Sequence, residues 1–304
     1  MRYTKPPLTF DQQADLLLYR GMTGDRDAMI KRLAVVNYYR LSGYWYPFRL
    51  PGTDKFKDGT AFDDVWERYV FDRQLRLLTM DAIERIEVAI RTQLANALAR
   101  RNNDPFEYAT DSAALPDLSE EKRTVYLEQI RTAQNTSRET FVAHFRKKYS
   151  PEHEYMPVWM ACEIMTFGCV LTLFRGAPAA IKKQIATHYS VQDTVLNSWL
   201  LALNTVRNVC AHHGRLWNRE IGTKPKIPKR DTRWIEPVEI GNNRVFGMLS
   251  ICKYCIDIIA PQSAWPDRLC RLLDNHPNIP LRSMGVPENW TDSRIWQYAR
   301  RTHL

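Results

Sequence analysis

The sequence of 304 residues lacks an apolar run of membrane-spanning length. Its most apolar stretch, from Val158 to Phe174, is interrupted by Glu163 and is shorter than the about 20 residues that a spanning helix needs. The first residues, MRYTKPPLTFDQQ, also lack the apolar core of a signal peptide. We therefore expect a cytoplasmic protein with no membrane partner.

Cysteine is scarce and shows no metal-binding pattern. Six cysteines are spread over the chain, which fits a reduced, cytoplasmic protein better than a disulfide framework. Cys252 and Cys255 form a single C-x-x-C pair, and no second pair follows at zinc-ribbon spacing. We interpret the two as small apolar residues one helical turn apart. The sequence therefore predicts neither a metal site nor a cofactor.

Strand patterns, internal repeats and low-complexity tracts are also missing, whereas helical periodicity is common. The clearest example is an apolar series at helical spacing: Phe71, Leu75, Leu78, Ala82 and Ile86. The sequence thus predicts an all-α fold, a helical bundle. A capping box of Thr9 with Gln12 is expected to start the first helix, and Thr60 and Ser190 are expected to cap two later helices. Pro157 is expected to open one long apolar helix. DRDAMIKRLAVVNYYRL, from residue 25, is predicted to form a single helix.

Charge is unbalanced, with a net charge of +9 at pH 7 and a pI of about 9.3, which favours a polyanionic partner. A basic loop follows Trp217, and its cations could clamp RNA phosphates while Trp234 stacks a base. A solvated basic loop is the simpler alternative. The cations are Lys224, Lys226, Lys229, Arg230 and Arg233.

Three further groups have both a structural and a functional interpretation. The aromatic cluster of Tyr38, Tyr39, Tyr44, Trp45, Tyr46 and Phe48 could stack RNA bases, but packing of the N-terminal helices is favoured. Glu87 and Arg91, spaced i, i+4, are expected to form a surface salt bridge. Arg73 and Arg76 lie on the same predicted helix and are also interpreted as surface residues, with an RNA contact from Arg73 as the alternative.

The run RNVCAHHGRLWNR, residues 207–219, combines arginine, asparagine and two histidines on a predicted helix. At about 100° per residue, one face is apolar and the opposite face is polar, with Arg207 beside the polar row. The apolar stripe contains Val195, Trp199, Leu203, Val206 and Cys210; the polar row contains Asn204, Asn208 and His212, and Arg215 follows three residues later. His213 falls toward the apolar side, where we expect a structural role with a carbonyl or buried partner.

These side chains have the chemistry that phosphodiester cleavage requires. An imidazole can give or take a proton near neutral pH, and a guanidinium matches phosphate oxygens. An amide such as that of Asn208 can orient the imidazole or hold a ribose hydroxyl. Cys210 and the histidines are not expected to bind a metal, since their positions do not converge on one helix face.

RNVCAHH resembles the R-x4-6-H motif of the HEPN superfamily of helical ribonucleases. The chain resembles more specifically the abortive-infection, Abi-like family of the AbiD/AbiF type, over most of residues 5–220 and the tail at 284–296. The carrying segments are LAVVNYYRLSGYWYPF (33–48), FDRQLRLLTMDAIERIEVAIRTQL (71–94), PVWMACEIMTFG (157–168), WLLALNTVRNVCAHHGRLWNR (199–219) and MGVPENWTDSRIW (284–296).

The resemblance implies a HEPN-like helical bundle that cleaves RNA in phage defence or as the toxin of a toxin–antitoxin pair. By motif position, Arg207 and His212 are the catalytic pair and Asn208 supports them; Asn204, Arg215 and the basic loop are candidate RNA contacts. A small non-coding RNA is an implied restraining partner. The expected organisation is one integrated domain: an N-terminal segment (1–60), the HEPN-like core (61–222), and a basic loop, last helix and irregular tail (223–304).

The mechanism expected is attack of a ribose 2′-OH on the adjacent phosphate, with no metal required. Because one helix supplies only one well-placed histidine, we expect a homodimer with a composite site. Two alternatives stay open at this point: a non-catalytic RNA-binding module that uses the same polar face, and a helical scaffold for protein–protein contacts.

Overall fold

A computed structural model of the chain describes residue 2 and residues 6–297. This part contains thirteen α-helices and no β-strand, so the all-α prediction is confirmed. The helices are α1 (Phe10–Tyr19), α2 (Arg26–Val35), α3 (Tyr38–Trp45), α4 (Phe62–Arg101), α5 (Glu107–Thr110), α6 (Glu120–Thr136), α7 (Thr140–Tyr149), α8 (Val158–Ile164), α9 (Phe167–Gly176), α10 (Ala179–His188), α11 (Asp193–Ala211), α12 (Val245–Ile259) and α13 (Trp265–Asp274).

Helix α4 is the central element of the bundle. Its 40 residues give a rod of about 60 Å at 1.5 Å per residue. Helices α3, α8, α10, α11, α12 and α13 all pack against it. The predicted apolar series supplies its core face, since Phe71, Leu75, Ala82 and Ile86 are fully buried.

One predicted helix cap is confirmed, and two predicted caps are wrong. The Thr9 hydroxyl accepts the Gln12 N–H in a complete capping box, as predicted. Thr60, in contrast, donates its hydroxyl to the Lys57 carbonyl at 2.6 Å and does not cap α4, which begins after Ala61. Likewise Ser190 has a left-handed backbone and does not cap α11.

Two stretches predicted as single helices are each divided in two. The stretch from residue 25 breaks after α2, and the Asn37 side chain accepts the Tyr39 N–H at 2.7 Å to start α3. Pro157 precedes the apolar stretch as the N-cap of α8. The stretch breaks after α8, and the Thr166 hydroxyl starts α9 by accepting the Cys169 N–H at 3.3 Å. The tail, predicted as irregular, also contains helix α13.

The break after α8 explains why the surface salt-bridge interpretation of Glu87 and Arg91 is wrong. Both side chains are mostly buried, and they form an ion pair. Arg91 also donates to the Cys162 carbonyl at 2.8 Å and the Met165 carbonyl at 2.7 Å. The arginine therefore satisfies backbone carbonyls that the interrupted helix leaves unpaired.

Within the described residues, none of the helices is both long and apolar enough to cross a membrane.

Candidate functional site

Helix α11 presents the two faces predicted from its periodicity. Its apolar stripe is buried, from Val195 at one end to Cys210 at the other. Asn208 lies on the opposite, exposed side of the helix, and Arg207 beside it is half-buried. The polar residues of the motif are therefore directed away from the core, as the sequence predicts.

The helix ends inside the motif, and this corrects the prediction that residues 207–219 form one helix. Ala211 is the last helical residue, His212 is the C-cap and His213 has a left-handed backbone with φ of 56°. The Gly214 N–H donates to the Val209 carbonyl at 2.7 Å, and the His213 N–H donates to the Cys210 carbonyl at 3.0 Å. These bonds form a Schellman-type ending, which places both histidines at the exposed tip of α11.

His213 does not have the buried structural role predicted for it. Its side chain is exposed, because the left-handed turn directs it away from the apolar stripe. Only its backbone is used: the His213 carbonyl accepts a hydrogen bond from Arg40 Nη1 of α3 at 2.6 Å. His212 is also exposed, as predicted. The two histidines therefore differ in backbone conformation and not in burial.

The side chains of Arg207, Asn208 and His212 have no hydrogen-bond or ion-pair partner among the residues that the structure describes. Arg207 and His212 are five residues apart, which corresponds to about 140° around the helix and about 7.5 Å along it. They lie at the same end of α11 without stacking on each other. A substrate that contacts both has to extend across the tip of the helix.

Several further arginines surround this tip. Arg215 lies beyond the helix end, and its Nη1 donates to the Gly43 carbonyl of α3. Arg219 donates its Nε–H to the Arg215 carbonyl at 2.8 Å, and its guanidinium passes close to Gly214. Arg40 and Arg219 were not recognised from the sequence, since only the fold brings them beside the motif.

Asn204 is less accessible than the sequence indicates. It is half-buried where α11 approaches the start of α9, and its amide lies 4.0 Å from the position that a Cβ on Gly168 would occupy. At this distance a Cβ would make an ordinary van der Waals contact with the amide. Asn204 is only partly exposed, and an RNA contact from it remains a prediction.

The basic loop runs antiparallel along α11. Thr223 lies 3.4 Å from Thr205 between hydroxyl oxygens, and Lys226 donates its N–H to the Ser198 hydroxyl at 2.9 Å. Four cations of this loop are exposed, and their side chains have no partner within the described part of the chain: Lys224, Lys226, Lys229 and Arg230. Three of them, Lys226, Lys229 and Arg230, line an open groove of ≈ 1610 Å³ beside the start of α11.

Trp234 does not have the RNA-binding geometry considered for it, and Arg233 beside it already has partners within the chain. Trp234 is fully buried and packs against Trp199 and Tyr254, with ring centroids 5.4 and 5.5 Å away, so it cannot stack a base. Arg233 is engaged by Asp231 at 2.7 Å and lies over the Tyr254 ring. Burial therefore overturns the stacking prediction for Trp234, whereas Arg233 is exposed and its contact with RNA phosphates stays a prediction.

A buried ionic network fixes the segment that follows the motif. The Asp72 carboxylate accepts the backbone N–H groups of Leu216 at 3.0 Å and Trp217 at 2.7 Å, and the Tyr44 hydroxyl at 2.6 Å. Arg76, expected on the surface, is buried and pairs with the same carboxylate. Burial raises the pKa of Asp72, and the hydrogen bond from Tyr44 and the charge of Arg76 act in the opposite direction.

A signal for this network is present in the sequence. Asp72, Arg76, Thr79 and Ile83 follow i, i+4, i+7 and i+11, so two charged residues share a helix face with buried ones. A charged pair on a buried face requires internal partners. Arg73, in contrast, is exposed, and an RNA contact from it stays a prediction.

Cys210 is the thiol closest in sequence to the histidines. Burial, followed by the charge of Asp72, raises its pKa to about 12, although Arg76 and Arg219 lower it. A thiol of this kind stays protonated at neutral pH and is a poor nucleophile. Within the part of the chain that the structure describes, no three His, Cys, Asp or Glu side chains are grouped to hold a metal ion.

One comparison with known proteins gives a match. A family model described as Abi-like protein matches residues 31–218, which is more than half of the chain and includes the Arg207–His212 motif. The tail segment at 284–296 lies outside the matched residues. No curated protein and no solved structure matches the chain significantly.

Proposed function

Because the chain belongs to the Abi-like protein family, we propose that it is a metal-independent endoribonuclease with a HEPN-like site at the tip of α11. Membership of this family indicates a role in abortive infection, a form of phage defence. One observation carries the proposal of ribonuclease activity. The side chains of Arg207 and His212 lie at one helix end with no partner among the described residues, although a half-buried guanidinium normally has one.

In the proposed reaction, a ribose 2′-OH attacks the adjacent phosphorus. One imidazole accepts the proton of this hydroxyl as the new P–O bond forms. The bond from phosphorus to the 5′-oxygen breaks, and that oxygen receives a proton from an acid. Arg207 stabilises the additional negative charge on the phosphorane-like transition state. The products are a 2′,3′-cyclic phosphate and a 5′-OH.

This reaction requires both a base and an acid, and a single α11 tip supplies one motif histidine. We therefore place the second imidazole on His212 of the partner subunit in a two-fold dimer. The exposure of the α11 tip is compatible with a second copy docking on it. His213 is exposed as well, but its left-handed backbone directs it differently from its neighbour.

The basic loop supports RNA as the substrate and a folded RNA as a restraint. Its four exposed, unpaired cations are Lys224, Lys226, Lys229 and Arg230. They follow α11 back toward its start, and Lys226, beside Ser198, is 14 residues or about 21 Å along the helix from His212, so only an RNA of several nucleotides reaches both. Its phosphates would release counterions along the loop. A small non-coding antitoxin RNA that extends from this loop to the helix tip would block access of other RNA.

The proposal is tested by incubating the purified full chain with total RNA in the presence and absence of a chelator. Chelator-resistant cleavage is expected, with loss of activity in Arg207→Ala and His212→Ala. The matched control is His213→Asn, because asparagine tolerates the left-handed backbone at this position. Binding without cleavage would favour an RNA-binding module, and no RNA retention at moderate salt would favour a protein scaffold.

A further inference from the structure

Two tyrosines are directed into solvent: Tyr39 of α3, and Tyr46, the C-cap residue that continues the helical backbone of α3 by one position. Tyr39 is 85% exposed and Tyr46 is 70% exposed, values unusual for large aromatic side chains. They are seven residues apart, which places them on the same face of the helix, about 10 Å from each other along its axis. Tyr44 and Trp45, on the other side of α3, are buried. The prediction that the aromatic cluster packs internally thus holds for only part of it.

Arg215 lies on the same face of α3, between the two tyrosines. Its Nη1 donates to the Gly43 carbonyl and lies 3.5 Å from the position that a Cβ on Gly43 would take. Gly43 is four residues after Tyr39 and three before Tyr46, so the guanidinium lies in the row that the tyrosines define. We call Tyr39, Arg215 and Tyr46 the α3 row.

The α3 row adjoins the proposed catalytic residues. Arg215 follows His212 by three residues along the chain, immediately after the turn that ends α11. Arg40, next to Tyr39 on α3, donates to the His213 carbonyl at 2.6 Å. A strand of RNA held on the α3 row would therefore continue directly to the α11 tip.

The chemistry of the row fits unpaired bases better than a second copy of the chain. In a two-fold contact centred on the row, Arg215 would oppose the same residue of the other copy, and like charges repel. Cores of protein interfaces are also depleted in charged residues. Aromatic rings interleaved with a guanidinium are typical of surfaces that stack bases and neutralise phosphates.

We infer that Tyr39 and Tyr46 stack unpaired bases of a single-stranded RNA, with Arg215 between them contacting its backbone or a base face. The inference rests on the proposed function, because it assigns the substrate class of the same site. A spacing of about 10 Å corresponds to about three steps of 3.4 Å along a strand, so the two rings take different bases. Bases paired in a double helix cannot reach these rings.

The test uses the full chain with His212→Ala, so that bound RNA is not cleaved. Fluorescence anisotropy measures binding of a labelled single-stranded RNA, an abasic strand with the same backbone, and a blunt RNA duplex. The base-containing single strand should bind tightest. Tyr39→Ala with Tyr46→Ala should weaken its binding at least about tenfold and leave the abasic strand nearly unchanged, since stacking contributes about 1–3 kcal/mol per base.

Two control variants isolate stacking from other effects. Tyr39→Phe with Tyr46→Phe keeps both rings and should retain the preference for bases. Trp159→Ala removes an aromatic ring that is 50% exposed on α8, a helix that packs against the far half of α4. It should bind the base-containing strand as the parent does.

Three results for the double alanine variant would overturn the inference. Its affinity for the abasic strand could fall as much as its affinity for the base-containing strand, or its affinity for the base-containing strand could stay unchanged. In the third, light scattering shows that the variant forms a smaller oligomer than the parent chain. Cleavage by the chain with an intact His212 is measured separately. Cleavage with no base preference would refute the stacking role alone. A base preference that depends on the tyrosines, without cleavage, would refute the nuclease proposal alone.

Discussion

The carboxylate of Asp72 accepts the backbone N–H of Trp217 at 2.7 Å, across 145 residues of sequence. This contact joins the first third of α4 to the segment that leaves the α11 tip. Because the carboxylate also binds Arg76 and the Tyr44 hydroxyl of α3, one buried group connects three elements around the proposed site. The position of the motif relative to α3 therefore depends on it.

Removal of this carboxylate should destabilise the fold strongly. Asp72→Ala leaves Arg76 as a buried charge without its partner, and it leaves two backbone N–H groups without acceptors. We expect the free energy of unfolding to fall by about 3–5 kcal/mol, the usual effect of breaking a buried ion pair from one side. Urea denaturation followed by circular dichroism measures the change.

A matched surface pair serves as the control for this variant. Arg282 and Glu288 form an ion pair at 3.2 Å in which both side chains are exposed. Glu288→Ala should change the free energy of unfolding by less than about 1 kcal/mol. Comparable losses in the two variants would show that the Asp72 network does not have the structural role assigned to it.

The exposed cations of the basic loop should determine how strongly RNA binding depends on salt. Lys229→Gln with Arg230→Gln removes two unpaired charges next to the groove. The slope of log affinity against log salt should become shallower by about 0.7 for each phosphate of a single strand that the variant no longer neutralises. Titrations between low and moderate salt measure this slope.

The control removes an equally exposed pair of neighbouring charges from α7, Lys147→Gln with Lys148→Gln. It changes the net charge by the same amount at a different surface. The slope should stay close to that of the unmodified chain. Equal effects of the two double variants would mean that the loop attracts RNA only through the overall charge.

Cysteine modification should be confined to one residue of the six. Cys169 is partly exposed, and the other five cysteines are buried. Burial raises the pKa of Cys162 and of Cys210 to about 12, so at pH 8 only about one thiol in 10⁴ would be ionised even if reagent reached it. Brief treatment with iodoacetamide, followed by peptide mass spectrometry, should find Cys169 labelled. Early labelling of Cys210 would contradict the burial of the α11 stripe.

The composite site predicts how activity falls when inactive subunits are mixed in. With a threefold excess of His212→Ala chains and free exchange of subunits, about one sixteenth of the dimers contain two intact chains. If both histidines are needed, activity per total dimer should fall to this fraction. A fall to only about one quarter would mean that each subunit cleaves alone. Activity that persists in a dilute monomer would contradict the dimer proposal as well.

Local sequence patterns predicted the helical part of the site and not its end. The stripe from Val195 to Cys210 is strictly periodic, so the buried face of α11 followed from spacing alone. The end of the helix at Ala211 was not predicted, because neither His212 nor His213 is a typical helix-ending residue. The left-handed turn is accompanied by a contact from Arg40, which is 173 residues away in sequence.

The errors share a physical cause, which is contact between distant segments. Arg76 and Arg91 follow surface-like i, i+4 patterns. Arg76 is nevertheless buried, because it neutralises the Asp72 carboxylate, and Arg91 is mostly buried, because it donates to the Met165 carbonyl. Tyr39 and Tyr44 belong to one aromatic run and differ completely in exposure, since only one side of α3 meets α4. Sequence spacing identifies a face, but it does not identify which face is covered.

The most direct test of the central claim is the chemistry of the cut ends. A defined single-stranded RNA is incubated with the full chain in a chelator, and the fragments are analysed by mass spectrometry. Arg207 and His212 acting on a 2′-OH predict fragments ending in a 2′,3′-cyclic phosphate and beginning with a 5′-OH, and no cleavage of the matching 2′-deoxy strand. Fragments with a 5′-phosphate and a 3′-OH, or equal cleavage of the 2′-deoxy strand, would contradict it.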